Sequence, residues 1–155
     1  MRCLLRGLLV LTACWAFAQD ASERSVGVWK LNVHKSELGA VGNPAVSVTR
    51  TIEKVGEKKY RDTFDIVFEN GQKQHLETVH IYDGQERQRE GQAPGMTETC
   101  EVIDTNRTRC MNKQEGKPIG GTTVTISADA KTMTGRFTQN RDGKQISEVR
   151  VYDKQ

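Results

Sequence analysis

The sequence predicts an all-β fold: a single antiparallel up-and-down β-barrel of about ten strands. Short strand-like runs recur roughly every ten residues, separated by Asn-Gly, Asp-Gly and Gly-Gly turn signals. Helical periodicity is nearly absent. The first and last runs, Gly27-Val28-Trp29-Lys30-Leu31 and Val149-Arg150-Val151-Tyr152-Asp153-Lys154, suit mutual pairing. A sheet closed by its first and last strands has no free edges and can enclose a cavity.

The chain starts with a targeting segment rather than structure. Met1-Arg2 and Arg6 give a positive start, and Gly7 to Trp15 is an apolar run too short to span a bilayer. Ala16-Phe17-Ala18 is a small-x-small cleavage site, which makes residues 1–18 a signal peptide and 19–155 one domain. A rival reading takes Leu11-Thr12-Ala13-Cys14 as a lipoprotein box, with Cys14 lipidated and retained. The apolar stretch continues through Trp15 and Phe17, which suits the later cut. The expected location is periplasmic or secreted, or membrane-anchored if Cys14 carries lipid. No candidate transmembrane segment follows the leader.

Charge excludes one class of partner. The chain has 23 Lys and Arg against 20 Asp and Glu, and Arg2 and Arg6 leave with the leader. Glu86-Arg87-Gln88-Arg89-Glu90 alternates in sign and no long basic block occurs, so nucleic acid is not the expected partner. Of four cysteines, Cys3 and Cys14 lie in the leader. Cys100 and Cys110 remain, and an even pair in an exported chain points to one disulfide.

Strands are expected near 26–33, 46–54, 60–69, 72–82, 85–90, 97–103, 107–113, 121–128, 131–139 and 144–153. The fifth is wholly polar from Glu86 to Glu90, the weakest of the ten. Between His34 and Ala45, Gly39, Gly42 and Asn43-Pro44 argue against a helix and for a lid or Ω-loop. No linker divides the chain.

Turn positions decide which residues share a face, because opposed residues in a hairpin point the same way. A two-residue turn at Asn70-Gly71 sets Ile66 opposite His75, Phe64 opposite Glu77 and Tyr60 opposite Ile81. Tyr60, Phe64, Ile66, Phe68, Val79 and Ile81 then line the interior and carry His75 and Glu77 inward. A turn at Asp129-Ala130 puts Ile126 opposite Met133 and Val124 opposite Gly135, with Phe137 on the same face. A final turn of two or four residues within Asn140 to Gly143 adds Ile146, Glu148, Arg150 and Tyr152 to that face. Its bulkier apolar set places it inside, against the competing claim of Val149 and Val151. A three-residue loop at Asp104-Thr105-Asn106, with Asn106 left-handed, sets Cys100 opposite Cys110 within disulfide reach.

These residues resemble a family. Gly27-Val28-Trp29-Lys30-Leu31 resembles the Gly-x-Trp opening of calycins, the lipocalins and fatty-acid-binding proteins. Arg150-Val151-Tyr152 resembles the Arg-x-Tyr close of fatty-acid-binding proteins. With Ser47-Val48-Thr49-Arg50, Tyr82-Asp83-Gly84 and Lys131 to Thr134, the whole mature chain is similar to bacterial exported lipocalin-like proteins. The parallel with fatty-acid-binding proteins is partial, since His34 to Ala45 cannot supply the helix pair those proteins carry there.

Trp29 is expected to plug one end of the barrel, its indole N–H needing a partner. Arg150 and Tyr152 could hold a ligand carboxylate, the guanidinium pairing with it and the phenol donating to it. Arg150 could equally pair internally with Glu148 or Glu77. His75 and Glu77 are further candidate ligand contacts, or else sit at a wet barrel mouth. His75 and His80 are an odd number apart and so face opposite ways, His34 is in a loop, and the two mature cysteines are expected to be bridged. No metal and no cofactor is therefore expected. No nucleophile elbow, phosphate loop or metal-ligand spacing occurs. The expected function is binding of a small hydrophobic or amphipathic ligand, with a fatty acid or other carboxylate implied by the Arg-x-Tyr resemblance. The alternatives are a filled barrel serving as an envelope structural or interaction module, and, third, a calycin-type enzyme.

Overall fold

The computed structural model describes residues 19–40, 44–89 and 92–155. The leader, with its two readings at Ala18 and Cys14, lies outside the described residues, as does Glu90 at the end of the fifth expected strand. Ten antiparallel strands are described: β1 (Gly27–Leu31), β2 (Ala45–Gly56), β3 (Lys59–Phe68), β4 (Lys73–Ile81), β5 (Glu86–Gln88), β6 (Met96–Val102), β7 (Arg107–Gln114), β8 (Lys117–Ile126), β9 (Thr132–Arg141) and β10 (Lys144–Lys154). They form one strongly curled sheet in the order β4-β3-β2-β1-β10-β9-β8-β7-β6-β5. No helix among the described residues is long and apolar enough to cross a membrane.

The first and last strands do pair, with Trp29 opposite Lys154 and Leu31 opposite Tyr152. The sheet nevertheless keeps two edges, because β4 and β5 are not hydrogen-bonded neighbours. β5 is only three polar residues long, Glu86-Arg87-Gln88, too few to match the nine of β4. The last part of β4 instead approaches β6 through side chains. The molecule is thus a curled half-barrel with a seam, not the fully closed barrel expected.

Turn chemistry sets each register. Asp142 and Gly143 both have positive φ, 51° and 73°, and form a two-residue hairpin turn that puts Arg141 opposite Lys144. Met133 then faces Tyr152, Gly135 faces Arg150 and Phe137 faces Glu148, which puts these residues on one face as expected. At Asn70-Gly71 the register differs from expectation by one residue. The Phe68 N–H donates to the Gln72 carbonyl at 2.9 Å, so Glu69, Asn70 and Gly71 make a three-residue loop with Gly71 at φ 81°. His75 now opposes Asp65 and Glu77 opposes Thr63, and a one-residue slip turns every side chain of β4 over.

The loop between β6 and β7 has the three residues expected, and Cys100 is bonded to Cys110 directly opposite. Asn106 is not left-handed, however. The Asp104 carboxylate caps the loop instead, accepting from the Asn106 and Arg107 N–H groups at 2.8 Å each.

The apolar core gathers at one end, where Trp29, Leu31, Val48, Ile52, Tyr60, Val124, Ile126, Met133 and Tyr152 pack together. A one-turn helix, α1 (Ala21–Arg24), covers this end. Asp20 caps it by accepting from the Ser22 and Glu23 N–H groups. The fully buried Trp29 donates its indole N–H to the Ser25 carbonyl at 2.7 Å. Arg24 reaches the Ser127 and Ala128 carbonyls and the Asn106 side chain, tying α1 to two hairpin loops. After β1 the chain makes a short 3₁₀ turn, Val33–Lys35, and Glu37 bridges to Val149 of β10.

Candidate ligand cavity

Alternation along each strand sends one residue in two into the barrel. The interior holds a cavity of about 700 Å³. Phe64, Ile119, Val124 and Phe137 supply apolar wall, and Arg50, Asp62, His80, Arg89 and Glu98 supply polar wall. A second hollow, beside Ala45, Ile66, Phe68 and Leu76, is bordered by Arg150.

Arg50 and Asp62 form a buried bidentate pair. Arg50 Nε donates to both carboxylate oxygens of Asp62, at 2.9 and 3.1 Å, and Nη2 donates to Oδ2 at 2.5 Å. The guanidinium carbon lies 5.1 Å from the centre of the Phe64 ring and 5.9 Å from that of Tyr152. Burial works against the Arg50 charge, but the Asp62 carboxylate outweighs it and holds the pKa above its ordinary value. The sequence reading missed Arg50. Parity could have found it: Val48, Arg50 and Ile52 alternate along β2, and an arginine between two inward apolar residues must itself point inward.

Of the residues singled out from sequence, Tyr152 is fully buried in the core. Burial pushes its phenol pKa up, against the opposing charges of Arg50 and Arg150. The Arg150 side chain approaches the hydroxyl closely enough to oppose that rise by hydrogen bonding as well. Arg150 also points inward. Its Nε donates to the buried Glu148, and its guanidinium lies over the Phe137 ring at 4.7 Å. Internal pairing with Glu148, one of the two outcomes foreseen, is therefore present.

His75 and Glu77 do not join this site. Both are exposed on the outer face, His75 at 2.7 Å from Asp65 and Glu77 at 3.3 Å from Arg61. The three-residue loop at Glu69–Gly71 is the reason. The same slip brings Gln74, Leu76, Thr78 and His80 inward in their place. His80 Nδ1 lies 2.9 Å from Glu98 Oε1 across the seam, and Arg89 Nε lies 3.9 Å from Glu98 Oε2. The disulfide sits on the same inner face, beside His80.

No family model matches the chain, and no curated protein matches its sequence. Solved structures do match in shape. The wild-type fluorescent protein UnaG aligns with a TM-score of 0.59 at 17% identity, over 86% of this chain and 98% of that one. The Schistosoma mansoni fatty acid binding protein in complex with arachidonic acid aligns with a TM-score of 0.59 at 15% identity, over 87% and 98% of the two chains. The zebrafish ileal bile acid-binding protein complexed with cholic acid aligns with a TM-score of 0.56 at 15% identity, over 85% and 99%. Similarity at this level of identity is one of architecture: the chain has a calycin-like β-barrel fold of the kind found in fatty-acid-binding proteins.

Proposed function

We propose that the protein binds a small hydrophobic or amphipathic ligand inside the barrel, a fatty acid or another carboxylate being the favoured class. The interior cavity of about 700 Å³ carries this reading. Small-molecule sites typically enclose about 300–1,000 Å³, mostly apolar, with a few convergent polar groups. A barrel serving only as a structural or interaction module has no need of such a hollow and would fill it with side chains. Two of the structural neighbours are named as binding proteins, for a fatty acid and a bile acid, which supports a binding role over an enzymatic one.

Arg150 borders the second hollow, beside Ala45, Ile66, Phe68 and Leu76, rather than the larger cavity; there its guanidinium, with the buried Tyr152 phenol close by, suits a carboxylate headgroup. A guanidinium carries five donors, so the bond from Arg150 Nε to Glu148 does not exhaust it. Titration with an anthroyloxy-labelled stearate, displaced by unlabelled oleate, tests the reading. The wild type should bind saturably, and Arg150→Gln should bind about tenfold or more weakly, since a charge-assisted hydrogen bond contributes roughly 1.5–3 kcal/mol. Absence of binding by the wild type, or equal binding by the variant, rejects the fatty-acid assignment.

The leader pattern supports export to the periplasm or beyond, with cleavage after Ala18. N-terminal sequencing of the exported protein should then begin at Gln19. Acyl-chain labelling that depends on Cys14 would instead establish a membrane-anchored lipoprotein.

A further inference from the structure

Where β4 faces β6 and β7 across the seam, four side chains aim their ligand atoms at one point. His80 Nδ1, Glu98 Oε1, Cys100 Sγ and Cys110 Sγ all lie within 4.8 Å of one another. His80 Nδ1 is 2.9 Å from Glu98 Oε1, 3.7 Å from Cys100 Sγ and 3.9 Å from Cys110 Sγ. In a tetrahedral zinc site, bonds of about 2.3 Å to sulfur and about 2.0–2.1 Å to nitrogen imply nitrogen–sulfur edges of about 3.5 Å. The His80–Cys distances are within a few tenths of an ångström of those edges. The sulfur pair is far closer than a tetrahedral edge, because it is joined in the disulfide.

The surroundings fit a closed four-ligand site. The side chains of His80 and Glu98 are only 12% and 11% exposed, and both cysteines are buried. Glu98 offers Oε1 to the cluster while its other oxygen, Oε2, faces the Arg89 guanidinium at 3.9 Å. At that distance Arg89 is a charge partner for the oxygen that a monodentate carboxylate ligand leaves free. A divalent ion with two thiolates and one carboxylate carries one net negative charge, which Arg89 balances. Two sulfurs, one imidazole nitrogen and one carboxylate oxygen suit zinc rather than calcium or magnesium.

We propose that the reduced protein binds a zinc-class divalent ion through Cys100, Cys110, His80 and Glu98, so that disulfide and metal are alternative states of one site. A dithiol reductant delivers two electrons and two protons to the Cys100–Cys110 bond and is itself oxidised to a disulfide. Each resulting thiol then loses its proton as its thiolate takes the metal. The Nδ1–H that His80 presents to Glu98 is given up as the metal enters, and the neutral ring keeps its one proton on Nε2, leaving the Nδ1 lone pair for the ion. An oxidising compartment keeps the disulfide, whereas a reducing one opens the metal state. Bound metal would tie β4 to β6 and β7 where the sheet has no ladder hydrogen bonds. The proposal does not depend on which ligand, if any, occupies the cavity.

The test compares the full mature chain, oxidised and reduced with a phosphine, under anaerobic titration with cobalt(II) and then zinc(II). The reduced protein should take up one equivalent of cobalt, with the visible bands and sulfur-to-metal charge transfer of a tetrahedral thiolate site, and zinc should displace it. The oxidised protein should show neither. His80→Gln and Glu98→Gln, which leave the disulfide intact for folding, should each weaken zinc binding to the reduced form by at least about tenfold. Should reduction unfold the chain, recovery of the β circular dichroism by one equivalent of zinc supports the site. Binding that is equally strong in the two variants, that occurs in the oxidised form, or that neither yields the tetrahedral spectrum nor restores the fold overturns it.

Discussion

Asp62→Leu should be among the most damaging single substitutions in the chain. Asp62 and Arg50 are both nearly inaccessible, and three hydrogen bonds join them. Removing the carboxylate leaves a guanidinium that cannot shed its charge, in a site lined by Phe64, Met133 and Tyr152. Breaking a buried pair from one side typically costs about 3–5 kcal/mol. For a domain of this size, a few degrees of melting temperature accompany each kcal/mol, so a fall of roughly 10–15 °C is expected. The double variant Arg50→Met, Asp62→Leu removes both charges and both desolvation penalties, and should recover to within about 1 kcal/mol of the wild type or exceed it. Urea denaturation and calorimetry at neutral pH, with the two single variants and the double, complete the cycle. A loss below about 1 kcal/mol in Asp62→Leu, or a double variant as unstable as the single, would refute the view that this pair is desolvated and mutually dependent.

Trp29→Ala should lose about 3–5 kcal/mol, because the ring is fully buried and its N–H bonds Ser25; an unchanged denaturation midpoint would contradict that placement. Burial pushes the Tyr82 phenol up to about 12 and holds Tyr152 above its ordinary value. A phenol whose pKa is raised on folding contributes stability that is fully present below pH ~10 and is lost as pH rises toward 12. Ultraviolet titration should therefore show tyrosinate forming late and together with unfolding. Ionisation of Tyr82 and Tyr152 near pH 10 in folded protein would exclude this environment.

The number of strands was readable in the sequence because ten polar-punctuated runs correspond to the ten strands. The Cys100–Cys110 bridge was readable because three loop residues fix parity whatever their dihedral angles. Asp142-Gly143 and Asn70-Gly71 show the limit of such reasoning. Both dipeptides can make a two-residue turn, yet Asn70 Oδ1 accepts from the Gln72 N–H and the loop widens by one residue. Nothing in the dipeptide itself distinguishes the two outcomes, and the difference decides whether His75 or His80 faces the cavity. Helix α1 left a signal that periodicity could not detect in four residues: Asp20 three positions before Glu23, the spacing of an N-terminal cap. The His80–Glu98 contact had no local signature, because it joins strands with no ladder between them.

The strand order has a kinetic consequence. Every ladder but one joins strands consecutive in the chain, so β1–β4 and β5–β10 can each grow as a meander by local zipping. The exception is β1 with β10, where Trp29 meets Lys154 across almost the whole domain. With no ladder between β4 and β5, the two meanders are joined into one sheet through β10, by its ladder with β1 and its bridge to Glu37, and that loop-closure entropy must be met before the interior can form. Folding should therefore be limited by the arrival of the last strand. During synthesis the β1 edge stays unpaired until Tyr152 and Lys154 have emerged, and this is the interval in which the chain is most open to pairing with a second copy of itself.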